Sequence, residues 1–222
     1  MMGSLFSVFD PVSYFGFSLN WLVMMFIFLF VPTKYYLIES NYKNFFFMVY
    51  YNFNKIFKEV AFPHHLMMSY ICVMTFIYLA LSNLLGLFPF IFTATAHPMV
   101  TMGWGVVLWV SFFLMGFLKN FVNSAAHLVP AGSPLLLAPL MVLIESVSHL
   151  IRPFTLSIRL AANMMAGHLI VGLLSSISLI SFYGFFSSFF FQSILLILEF
   201  GVAVIQGFVF SILLLLYALE YY

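Results

Sequence analysis

The 222-residue chain is 65% hydrophobic and 6% charged, with a formal net charge of +1 and a mean hydropathy of +1.16. So few charges cannot cover the surface that a soluble domain of this length leaves in water, and a near-neutral balance supplies no basic field for nucleic acid. The single cysteine, Cys72, excludes an internal disulfide and a cysteine-rich metal site, which leaves the composition of an all-α polytopic membrane protein.

In chain order, residues 1–14 read as a short amphipathic lead-in with a turn at Asp10-Pro11. Residues 1–33 hold no Lys or Arg, so no basic signal or transit segment is expected there. The first span runs from about Phe15 to Val31, with Pro32 and Lys34 just beyond it. Residues 34–65 then mix Lys34, Glu39, Lys43, Lys55, Lys58 and Glu59 with many Phe and Tyr residues. That mixture predicts an interfacial amphipathic helix lying on the membrane. Four of the five lysines sit here, so this loop is expected on the cytoplasm-like side, the matrix in a mitochondrion. His64 and His65 close the segment and read as ordinary loop histidines.

The second span covers about Leu66 to Phe92, with Asn83 inside it and a break at Gly86-Leu87-Phe88-Pro89. Asn83 and Pro89 read as packing and bend residues. The third span covers about Met99 to Phe121, with Lys119 near its end. A hinge at 127–139 follows, marked by Pro130, Gly132, Pro134 and Pro139. From about Leu135 to Ile180 the pattern stays helical for roughly 69 Å, against a bilayer core of about 30 Å. Either this helix is steeply tilted or it bends at Pro153 or Gly167. A loop near Ser181–Gly184 leads to a last long helix, about Phe185 to Ala218. The expected architecture is one membrane domain with five crossing helices, including a long tilted C-terminal hairpin, plus the surface helix. Its parts are 1–65, 66–126 and 127–222.

The chemistry concentrates in residues 145–168, ESVSHLIRPFTLSIRLAANMMAGH. Between Asn120 and Leu198 the only Asp, Glu, Lys or Arg residues are Glu145, Arg152 and Arg159. An ionisable residue within a span costs about 2.5–3.5 kcal/mol or more, which marks it as functional by default. On an ideal helix with Arg159 at zero, Arg152, Ser148, Glu145, Thr155 and Asn163 all fall within about 40° of it. These six share one stripe. His168 falls at about 180°, off the stripe, so it either benefits from local relief at Gly167 or faces the other long helix. On that helix Glu199, Gln206 and Tyr217 share a face. The topology puts Glu145 toward the matrix-like side and His168 and Glu199 toward the opposite one.

Arginine does not deprotonate in proteins, so Arg159 cannot relay protons. It can act as a fixed charge that blocks a leak and keeps a passing carboxylate ionised. Glu145, His168 and Glu199 can exchange protons, while Asn163, Gln206, Ser148 and Thr155 can orient water. The bland alternatives are that Arg152 snorkels to an interface, that Arg159 pairs structurally with an acid such as Glu199, and that His168 is a packed core residue. Glu145 and His149 have i,i+4 ligand spacing, but no His-Glu-x-x-His pattern or further ligand accompanies them.

The pieces Asn83-Leu84-Leu85-Gly86-Leu87-Phe88-Pro89, Pro130-x-Gly132-x-Pro134, Glu145 with Ser148, Arg159-Leu160-x-Ala162-Asn163-x-x-Ala166-Gly167-His168, and Glu199 followed by Gln206 resemble subunit a of the rotary F-type ATP synthase in its mitochondrial form. Bacterial relatives usually carry a carboxylate at the position of His168 and a histidine at that of Glu199; here the pair looks exchanged. The resemblance implies a multi-pass protein of the mitochondrial inner membrane, without cofactor or metal, that is a proton channel rather than an enzyme. Its implied partners are a ring of small hairpin c subunits, other stator and peripheral-stalk subunits, and membrane lipids. Arg159 would face the ring; His168, Glu199, Asn163 and Gln206 would line the proton inlet, and Glu145 and Ser148 the outlet. Two other classes compete. A proton-coupled carrier would carry an internal repeat, and none is visible. An intramembrane metal enzyme would need clustered ligands.

Overall fold

The computed structural model describes residues 9–11, 18–31, 40–61, 66–88, 91–119, 121, 129, 137–179 and 182–220. Among these the regular structure is helical throughout. In order come α1 (Val23–Phe30), α2 (Asn41–Ala61), α3 (Leu66–Gly86), α4 (Pro98–Lys119), α5 (Ala138–Ser178) and α6 (Phe182–Glu220). Short 3-10 turns at Leu19–Leu22 and Ala94–Ala96 precede α1 and α4.

Helices α3 to α6 are long and apolar enough to cross a membrane. The apolar stretch Leu19–Phe30 is shorter, and the predicted first span starts among residues outside the described ones. The predicted hinge at 127–139 also lies largely outside them, as do Pro32, Lys34, Glu39, His64, His65 and Pro89. The protein is an all-α polytopic membrane protein, as its composition requires. Its outward residues are apolar because lipid, not water, is the solvent for α3 to α6.

Helix α5 has 41 residues and α6 has 39, or ~62 and ~59 Å of helix. Both run unbroken, so tilt rather than a break reconciles them with a bilayer about 30 Å thick. Pro153 lies inside α5, where it removes one donor without ending the helix. Helix α6 starts at Phe182, so Gly184 belongs to its first turn and not to the predicted loop. A glycine there interrupts no completed hydrogen-bonded turn.

Side-chain partners run in opposite order along the two long helices. Arg152 meets Glu220, Asn163 meets Gln206, Gly167 meets Glu199, and Gln192 donates to the Val171 carbonyl. The two form an antiparallel hairpin. Helix α3 packs on α6, α4 on α5, and α2 on α3. The shared core holds Phe57, Cys72, Val73, Leu156, Leu160, Phe210 and Leu215, all nearly or fully buried. An aromatic knot of Phe53, Phe76 and Phe208, with ring centroids 4.4 to 6.0 Å apart, ties α2 and α3 to α6.

Small residues set the helix spacing. A Cβ on Gly207 would stand 3.2 Å from the Ala80 backbone nitrogen and 3.4 Å from its Cα. Backbone cannot step aside as a side-chain tip does, so α3 and α6 would have to part. Gly207→Ala is expected to cost about 1–3 kcal/mol as overpacking, read as a lower thermal midpoint in detergent. Gly201→Ala is the control, since a Cβ there meets nothing within 4 Å.

Candidate functional site

Three helices meet at one small polar cavity. It is lined by Asn83 and Leu87 of the α3 end, Asn163, Met164, Gly167 and His168 of α5, and Glu199, Val202, Ala203 and Gln206 of α6. Gly167 makes it fit. A Cβ there would lie 2.7 Å from Glu199 Oε1 and 2.9 Å from Cδ, so only glycine leaves room for the carboxyl. One turn away, Asn163 Nδ2 donates to Gln206 Oε1 at 3.1 Å. Asn83 is fully buried and its Nδ2 reaches the Ala203 carbonyl at 3.4 Å.

Three buried polar atoms at this cavity have no hydrogen-bond partner among the described residues: Asn83 Oδ1, His168 Nε2 and Glu199 Oε1. Leaving a buried polar group unmatched costs about 1–3 kcal/mol. The cavity is about 20 Å³, room for about one water, which can both donate and accept. Two proton-exchanging groups and three amides thus border a space suited to water. His168 also rests edge-on against Phe9, with ring centroids 6.4 Å apart.

Arg159 stands apart from this cavity. Helix α5 turns Pro153, Leu156, Ser157, Leu160, Ala161 and Met164 inward. The opposite strip is exposed and carries Thr155, Arg159, Ala162, Asn163 and Ala166. Arg159 makes no ion pair or hydrogen bond among the described residues, so the structural pairing with Glu199 is not observed. The small Ala162 and Ala166 leave its C-terminal side open to close approach.

The other end of α5 holds a separate charge cluster. Glu145 Oε1 lies 3.3 Å from His149 Nε2 and 3.9 Å from Arg152 Nη2. Arg152 also pairs with Glu220, and its guanidinium carbon sits 5.2 Å from the Tyr217 ring centroid. Arg152 is therefore held between two carboxylates rather than snorkelling freely. The Ser148 hydroxyl donates to the Glu145 carbonyl at 2.7 Å, a bond within its own helix. Glu145 lies about 21 Å along the axis from Arg159, and His168 about 13 Å the other way.

The predicted residues thus fall into three places. His168, Glu199, Asn163 and Gln206 come together, Arg159 stands on an open strip, and Glu145 and Ser148 lie at the far end. His168 faces α6, the alternative that its angle left open. Sequence reasoning assigns Asn83 to packing and does not single out Glu220. Asn83 is an amide inside an apolar span, a signal for a site, but its facing partner lies 120 residues away.

A family model described as ATP synthase A chain matches residues 16–218. The chain belongs to the ATP synthase A chain family. Among its relatives, ATP synthase subunit a of Artemia franciscana is 45% identical over 221 residues, which cover 99% of this chain and 100% of that protein. The Drosophila melanogaster protein of the same description is 41% identical over 222 residues, 99% of each chain. That of Locusta migratoria is 40% identical over 232 residues, covering both chains fully. The family match takes in α1 to α5, α6 as far as Ala218, and every residue of the cavity, the arginine strip and the Glu145 cluster except Glu220.

Proposed function

We propose that this chain is the proton-translocating stator subunit in the membrane sector of a mitochondrial ATP synthase, a multi-pass protein of the inner membrane. Arg159 separates two offset half-channels at the face where a ring of c subunits turns. Protons enter from the intermembrane side past His168, Glu199, Asn163 and Gln206, with Asn83 completing the lining. They load a carboxylate on the ring, and after rotation leave toward the matrix by way of Glu145 and Ser148. The chain itself makes no ATP; that chemistry belongs to a separate soluble head. Other stator and peripheral-stalk subunits hold the chain against the torque.

The observation that carries this reading is Arg159 itself. A guanidinium in mid-span, exposed and without a counter-charge among the described residues, is costly unless a carboxylate comes to it from another chain. The residues on both sides can pass protons, and the arginine cannot. Each charge that crosses a 100 mV potential releases about 2.3 kcal/mol, which such an arrangement would turn into movement of the ring.

The interface test uses cysteines at Ala162 and Ala166, both exposed beside Arg159. The native Cys72 is fully buried and does not compete. In the intact complex, oxidation is expected to cross-link either new cysteine to cysteines introduced along the outer helix of the ring subunit. Absence of any such cross-link in a complex that still pumps protons would remove the proposed interface.

A further inference from the structure

The amphipathic helix α2 holds a second polar cavity, which shares no lining residue with the first. It measures about 390 Å³ and is lined by Tyr51, Asn54, Lys55, Lys58 and Glu59. Asn54 is only 8% exposed, and its Oδ1 accepts no hydrogen bond among the described residues. The Lys58 ammonium sits 5.0 Å from the centroid of the Tyr70 ring on α3, which holds it on the α3 side by cation–π attraction. Lys55 and Glu59 are exposed at the rim, and among the described residues Lys55, Lys58 and Glu59 form no ion pair with one another. Ile56 and Val60 at the same end of α2 are exposed and apolar.

The cavity therefore presents two kinds of group. Lys55 and Lys58 are donors that suit a phosphate. Glu59 is an acceptor, which faces a bare phosphate unfavourably and calls for a donor on the same ligand. A phosphodiester that carries a primary ammonium satisfies both sets. Helix α2 is too polar to be counted among the spans, and a surface position brings its cavity to the level of lipid headgroups.

We propose that this cavity binds the phosphoethanolamine headgroup of a membrane phospholipid, with the phosphate on Lys55 and Lys58 and the ammonium on Glu59. The acyl chains run along Ile56, Val60 and the neighbouring apolar surface. A choline headgroup fits poorly because its quaternary nitrogen has no N–H to donate. A glycerol headgroup leaves Glu59 without a cation.

The test is photolabelling of the full-length chain, purified with the subunits that co-isolate with it, by phosphatidylethanolamine carrying a diazirine in its acyl chain. Mass spectrometry is expected to find the label on peptides from residues 41–86. Unlabelled phosphatidylethanolamine should compete about tenfold better than phosphatidylcholine, a difference of ~1.4 kcal/mol. Glu59→Gln should abolish that preference, and the Lys55→Gln/Lys58→Gln double variant should lose the labelling. Lys55→Arg/Lys58→Arg should keep it, which separates lost charge from lost folding. Equal competition by phosphatidylcholine, better competition by phosphatidylglycerol, or labelling that ignores all of these variants would overturn the proposal. Absence of label between residues 41 and 86 would do the same.

Discussion

Arg159→Ala is expected to cut ATP-driven proton pumping by about 10- to 150-fold, while the complex still assembles. The assembly half follows from burial. The side chain lies on the exposed strip of α5, away from Leu156, Leu160 and Met164, so its removal opens no core cavity. The pumping half follows from charge. In the proposed arrangement, a ring carboxylate passing this strip without the guanidinium would lose a stabilising interaction of about 1.5–3 kcal/mol and would stay protonated. Each 1.36 kcal/mol corresponds to tenfold in rate, so the loss scales to about 10- to 150-fold. Acid-quenched dye fluorescence in inverted membrane vesicles measures it. Near-normal pumping in an assembled complex would sink the reading. Arg159→Lys should also be poorly tolerated, with activity falling further as pH rises, because an ammonium gives up its proton where a guanidinium does not.

The second large effect belongs to His168 and Glu199. Replacing both with Leu is expected to reduce proton flux about a hundredfold or more, the low end of what positioned acid–base groups contribute. Exchanging them, as His168→Glu with Glu199→His, should retain clearly more flux than the double Leu variant. Both groups face the same cavity, and both have a buried polar atom there without a partner among the described residues. A proton-carrying pair is indifferent to which helix supplies which member, within the room available. Gly167 sets that room, because its missing side chain makes the pocket in which the Glu199 carboxyl sits. Equal loss in the two variants would show that the groups do not act together.

Much of the architecture was legible in the sequence. Long apolar runs with few charges predict membrane helices, and α4 and α5 start and end within three residues of their predicted limits. Helical geometry by itself also separates Arg159 from His168, since nine residues make about two and a half turns and leave the two on opposite faces. The Arg152 contacts were not legible in this way. Its pairing with Glu220 joins residues 68 apart, and nothing local to either one names the other. Arg152 therefore reads as a lone interfacial cation until α6 brings Glu220 beside it.

Composition and periodicity by themselves determined the solvent of this protein, the helices that meet it, and the stripe of α5 that carries Glu145, Arg152 and Arg159. These are properties of a residue and its near neighbours, so the order of residues is enough to decide them. The tertiary structure alone decided that Asn83 belongs to the cavity of His168 and Glu199. It also decided that Gly207 sets the approach of α3 to α6, and that Arg159 meets no carboxylate among the described residues. Each of these depends on which faces of distant helices pack together, and that choice is made by the whole set of contacts rather than by any single segment.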